Sequence, residues 1–129
     1  MTVLIVDDDK SMLRKMGLHL SRAGHKTTSA SDSDQALAAL KETPFDWLLL
    51  AGDISDAPHL TGHLSMIDRH IARPVYFVLG NHDYYHGTFA GVLAEVEQWC
   101  STHPNVRFLN GAEVIELTPR TALIGVGGW

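Results

Sequence analysis

At 129 residues, with 45% hydrophobic and 19% charged side chains, the chain is the size of one compact domain with a real core and has no room for a second. A formal charge of −5, from 15 acidic and 10 unclustered basic residues, offers no basic stripe to a phosphate backbone and excludes nucleic acid as a partner. Cys100 is the only cysteine, which excludes an internal disulfide or thiolate cluster. The opening MTVLIVDDD lacks a signal peptide's cationic region, and no run reaches the roughly 20 apolar residues of a membrane span, so a soluble cytoplasmic protein without membrane or obligate protein partner is expected.

Val3 to Val6 is a short β-branched run cut off by Asp7, Asp8 and Asp9, the pattern of a buried parallel strand. Met12, Leu13, Met16 and Leu20 follow helical spacing from Ser11 to Ala23, and Gly24 supplies a left-handed stop. His25 to Ser29 is a polar edge strand, Ser31 with Asp34 starts a second helix carrying Ala36, Leu37 and Leu40, and Thr43 and Pro44 end it. A buried strand follows over Asp46 to Ala51, then a helix from Pro58 with Leu60, Leu64, Ile67 and Ile71 inward. Beyond the strand Val75 to Leu79 and the loop Gly80 to Gly87, the residues Phe89, Val92, Leu93, Val96 and Trp99 mark another amphipathic helix.

Val106 to Leu109 forms a short strand, and Ala112 to Leu117 with Thr121 to Val126 form a hairpin, whose exposed edge would be the route to an edge-strand dimer. The alternation predicts an α/β fold: a three-layer, doubly wound, mainly parallel sheet with a C-terminal hairpin, in a single domain over residues 1–129. Ligands in such sheets gather at the carboxyl ends of the strands, where this chain places its Asp triplet, Asp53 and the GNHD segment.

The front of the chain, from MTVLIVDDDKSM to about residue 45, resembles a response-regulator receiver domain. That resemblance implies that Asp7 and Asp8 bind Mg²⁺ and that a lone Asp takes a phosphoryl group. The acceptor position, counted from Asp46, is Ala51; only a shift of two residues would make Asp53 the acceptor. Gly80 stands where a hydroxyl residue belongs, and no lysine ends the strand at Leu109, so three roles of a phosphorelay fail together.

From about residue 46 onward the pair Gly52, Asp53 and the tetrad Gly80, Asn81, His82, Asp83, each after an apolar strand, resemble the calcineurin-like metallophosphoesterases. The resemblance implies Asp53 and Asn81 as metal ligands, with His82 contacting the phosphate or protonating the leaving oxygen and Asp83 orienting it. The family's first motif, DxH, is replaced by Asp7, Asp8, Asp9, so that Asp7 and Asp9 would serve as an oxygen pair. No histidine follows His103, so the family's later imidazoles are missing. An oxygen-rich set of Asp7, Asp9, Asp53 and Asn81 suits one weakly held Mn²⁺ or Mg²⁺.

His19, His25, His70 and His103 read as solvated residues, His59 and His63 as a surface pair, and Trp47, Trp99 and Trp129 as core or edge-covering residues. Tyr84 and Tyr85 are expected to pack their loop onto the following helix, with walling a substrate pocket as the alternative, and Cys100 to be a core thiol. The expectation is an engineered or recombined chimera in which His82 and Asp83 are a vestigial catalytic pair of no complete active site. The alternatives are a truncated metal-dependent phosphoesterase with residual hydrolysis and, behind it, a phosphorelay receiver.

Overall fold

The computed structural model describes residues 2–42 and 44–127. The helix stop expected at Thr43 and the indole of Trp129 lie outside the described residues. Contacts divide the chain into two compact units, Met1–Phe45 and Asp46–Trp129. The fold is mixed α/β, with parallel sheets flanked by helices and an antiparallel hairpin. No helix among the described residues is long and apolar enough to cross a membrane.

In the first unit, β1 (Thr2–Val6) and β2 (Lys26–Ala30) pair in parallel from Thr2↔Lys26 to Val6↔Ala30, with α1 (Lys10–Arg22) as their crossover and α2 (Ser33–Glu42) after them. Asp9 caps α1, its Oδ1 accepting from the backbone N–H of Ser11 at 2.7 Å and of Met12 at 3.3 Å. Asp7 accepts from the Asp9 N–H at 2.8 Å. Gly24, at φ +84°, ends the helix as its sequence position predicted.

The start of α2 differs from expectation by one residue. Asp32 accepts from the Gln35 N–H at 2.8 Å while the Gln35 amide oxygen accepts from Ser31 N–H at 3.2 Å, a reciprocal cap built on Asp32 and Gln35 instead of Ser31 and Asp34. Ile5, Leu13 and Ala30 are this unit's buried apolar residues, whereas Met12 and Met16, expected on the inner stripe of α1, are 43% and 40% exposed. With so small a core the cap carries weight: Asp9→Ala is expected to cost about 1 kcal/mol, read as a lower urea midpoint at unchanged slope.

The second unit orders its parallel strands β3 (Leu48–Ala51), β4 (Val75–Val78) and β5 (Val106–Phe108), with β4 central. Side chains of β4 alternate between two faces, and each face has its own cover. Val75 and Phe77 pack with Leu60 and Leu64 of α3 (Leu60–His70) and with Val92 and Val96 of α4 (Phe89–Cys100). Tyr76 faces the other way, where Leu109, Trp47 and the hairpin residues Ile115, Leu117 and Leu123 meet it.

That hairpin, β6 (Ile115–Thr118) and β7 (Thr121–Leu123), is a separate two-stranded sheet packed through Ile115. The triple sheet is therefore covered by helices on one face and by a hairpin on the other. Gly125 makes the close fit there: a Cβ on it would stand 2.5 Å from the Leu109 Cβ and 2.8 Å from a Val78 methyl. Cys100 packs against the helix-side core, and burial raises its pKa, which keeps it a thiol, as its apolar helix position led one to expect.

Candidate functional site

Strands β3 and β4 run parallel with Ala51 opposite Val78, so the loops that leave them start at the same level of the sheet. Two residues past each strand end stand Asp53 and Gly80. Their backbones nearly touch, since a Cβ on Gly52 would lie 2.7 Å from the Gly80 nitrogen and one on Gly80 would lie 2.5 Å from the Asp53 nitrogen and collide with its carboxylate. Only glycine at both places permits the approach. Gly52 at φ +93° and Asp53 at φ +52° turn the first loop through the left-handed region, costly for any residue with a Cβ though least so for Asp and Asn.

The two loops are then joined by side chains. Asp53, exposed to solvent, accepts the His82 backbone N–H on Oδ1 at 3.1 Å. Asp83 is fully buried, and its two oxygens accept the backbone N–H groups of Ser55 and Gly80, each at 2.8 Å. Asp83 thus forms a clamp from one loop's carboxylate to both loops' backbones. A third link runs from the Ala57 N–H to the Tyr85 carbonyl at 3.0 Å.

Residues His82–Tyr84 form a single 3₁₀ turn ending at Tyr85. Because side chains three apart eclipse in such a turn, the His82 and Tyr85 rings stack, with centroids 4.7 Å apart and planes at 22°. The Tyr85 hydroxyl accepts from the Asn81 amide nitrogen at 3.2 Å. Tyr84 goes inward instead, packing against the core and against Phe89 at 4.5 Å, as expected for a residue tying the loop to α4; burial and the nearby Asp83 charge raise its pKa.

Beside this pair of loops, a 3₁₀ turn (Ala57–His59) leads into α3. His59 and His63 are surface residues, but each is tied down: His59 Nδ1 lies 2.6 Å from Asp56 Oδ1, and His63 Nδ1 lies 2.7 Å from Ser55 Oγ. The His59 hydrogen bond holds the Asp56 carboxyl below the ordinary aspartate range. Nothing in the sequence pointed to Ser55 with His63, eight positions apart; Asp56 and His59, three apart at a helix start, had a readable spacing. His86, in the Gly80 to Gly87 loop, has φ +64°. His103, expected to be solvated, stacks on Trp99 at 3.8 Å and 7° and is half-buried.

Two of the four oxygen donors expected at a metal, Asp53 and Asn81, stand on adjoining loops of the second unit. Asp7 and Asp9 belong to the first unit and serve its turn and helix cap. The donor chemistry of the Asp53 and Asn81 loops fits one hard divalent cation, which is commonly held by one or two protein oxygens with water and substrate phosphate filling the rest. Among the described residues no group of three or more His, Cys, Asp or Glu could hold a metal ion.

Parallel strands whose glycine-turned loops meet at their carboxyl ends place an exposed carboxylate on one loop and an Asn-His pair on the other, at the edge where open α/β sheets collect their ligands. The family model of the calcineurin-like phosphoesterases matches residues 19–128, and the chain belongs to that family. The match reaches back to His19, inside α1, and so crosses the boundary between the two units. Among solved structures, NtrX from Brucella abortus, crystallised in complex with ADP, is similar at a TM-score of 0.45 and 22% identity, over 80% of this chain and 26% of that one. The chain thus spans about a quarter of that protein's length. No curated protein matches.

Proposed function

We propose that this chain is a metal-dependent phosphoesterase fragment whose second unit binds one Mn²⁺ or Mg²⁺ through Asp53 and Asn81. The observation that carries this reading is the junction of the two loops, where Asp53 Oδ1 meets the His82 N–H at 3.1 Å and buried Asp83 fixes both backbones. A cation there would supply positive charge to the oxygens of a phosphate ester. The chain's own residues do the rest. Asp53 presents its carboxylate to solvent on a loop held rigid from below, Asn81 offers a neutral oxygen, and His82 holds a proton for the departing ester oxygen.

Asp53→Asn keeps the shape and tolerates the left-handed backbone, so it removes charge without unfolding the loop. Calorimetric titration of Mn²⁺ is expected to give saturable binding to the wild type, weakened at least tenfold in the variant, and hydrolysis of p-nitrophenyl phosphate that follows metal occupancy. Binding equal in both proteins, or in neither, sinks the proposal.

A second reading, a chimera with a receiver-derived front, draws support from the division of contacts between Phe45 and Asp46. The family match that starts at residue 19 weighs against a seam at that point. We favour the phosphoesterase fragment on that ground, and give the first unit a structural role.

A further inference from the structure

We propose that Tyr85 is a positioning residue of this site, its ring setting the orientation of the His82 imidazole and its hydroxyl that of the Asn81 amide. The proposal rests on the phosphoesterase reading and adds to it a residue that the motif does not contain. Tyr85 is 49% exposed, and unlike Tyr84 it joins neither apolar cluster, so packing does not explain its conformation. Its main chain is nevertheless pinned on both sides: its N–H donates to the His82 carbonyl at 2.9 Å, and its carbonyl accepts from Ala57 at 3.0 Å. A ring so anchored, on the same side of a 3₁₀ turn as His82, is a fixed wall and not a loose surface side chain.

Each contact has a chemical consequence. The near-parallel stack at 4.7 Å restricts rotation of the imidazole about its own bond. The Asn81 amide nitrogen donates to the hydroxyl at 3.2 Å, and in this arrangement the carbonyl oxygen is the atom of the amide left for a cation. A ligand amide that could rotate freely would present nitrogen as often as oxygen, and only oxygen coordinates. One tyrosine therefore sets both the ligand and the acid of the second loop, in the way that outer partners orient ligands at metal centres.

Two variants separate the contacts: Tyr85→Phe deletes the hydroxyl and keeps the ring, and Tyr85→Leu deletes both. Mn²⁺ binding by calorimetry, the NMR signals of the His82 ring and of the Asn81 side-chain amide, and urea midpoints would be recorded for each beside the wild type. Expected are roughly tenfold weaker Mn²⁺ binding and a shifted Asn81 amide in Tyr85→Phe with His82 unmoved, loss of the ring-current shift on His82 in Tyr85→Leu, and unchanged urea midpoints throughout. Variants that bind like the wild type, with both sets of signals unmoved, overturn the proposal. A wild type that takes up no Mn²⁺ overturns the phosphoesterase reading instead, and the His82 and Asn81 signals of the metal-free variants then decide whether Tyr85 sets their orientation.

Discussion

Asp83→Ala is expected to destabilise the second unit by about 3–5 kcal/mol, the largest effect of any single side chain in the two loops. Its carboxylate is completely buried and accepts two backbone N–H groups at 2.8 Å, and hydrogen bonds to a charged acceptor contribute about 1.5–3 kcal/mol each. Truncation also leaves the Ser55 and Gly80 donors facing a void. Against a total stability of about 5–15 kcal/mol, such a loss brings the protein near unfolding, so urea denaturation at low temperature is the measurement of choice. Asp83→Asn isolates the charge from the volume, since it keeps the shape and turns an NH₂ toward one of the two donors. It is expected to lose at least half as much stability as the alanine variant; a wild-type midpoint in Asp83→Asn would show that packing, not the clamp, holds the loops.

Gly52→Ala is expected to cost about 2–5 kcal/mol and to abolish cation binding even where the fold survives. Two penalties combine: a left-handed backbone at φ +93°, worth about 1–2 kcal/mol to any residue with a Cβ, and overpacking, typically about 1–3 kcal/mol. The overpacking is severe here because the new methyl would meet the backbone of the next strand's exit, 2.7 Å from the Gly80 nitrogen and 2.9 Å from its Cα. Backbone cannot rotate away as a side chain can. The loops must part, taking the Asp53 carboxylate from the His82 N–H. Gly62→Ala, on α3 with nothing within 4 Å of the added methyl, is the control: it should gain up to about 1 kcal/mol and bind Mn²⁺ unchanged.

The elements that sequence revealed most clearly were those with one strong period. Leu60 and Leu64 are buried with Ile67 and Ile71 packed beside them, and Val92 and Val96 seat α4, because a helix with a single apolar stripe has one way to face a core. In the first unit the stripe of α1 misled, since Met12 and Met16 follow the period yet remain exposed around the single buried Leu13. The alternation of strand and helix predicted a doubly wound, mainly parallel α/β fold with a C-terminal hairpin, and parallel sheets flanked by helices with an antiparallel hairpin are what the structure has. Alternation constrains which strands are parallel but not what covers the second face, and the pairing of Tyr76 with the hairpin residue Ile115 is a long-range choice that no local pattern encodes.

The candidate site was legible where a motif placed residues directly after strands, as for Asp53 and Asn81, and illegible where a side chain bonds to distant backbone. Asp83 reaches Ser55, 28 positions away, and no spacing rule announces an acceptor for backbone donors. The Asp triplet has a local role that its place after a strand did not announce. Asp9 at the head of a helix satisfies α1 itself, and three acidic residues after a strand look alike whether they await a cation or cap a helix.

The left-handed backbone at Asp53 sets folding against chemistry at one position. Glycine would adopt φ +52° without strain, as its neighbour does at φ +93°, so the carboxylate is kept at a standing cost on the order of 1 kcal/mol. Glycine at 53 would relieve that strain and at the same time remove the acceptor of the His82 N–H, so one residue couples the turn of the first loop to its tie with the second. Any attempt to toughen this protein for use should therefore fix residue 53 at the outset and seek its gains in α1 and the hairpin, where no such conflict exists.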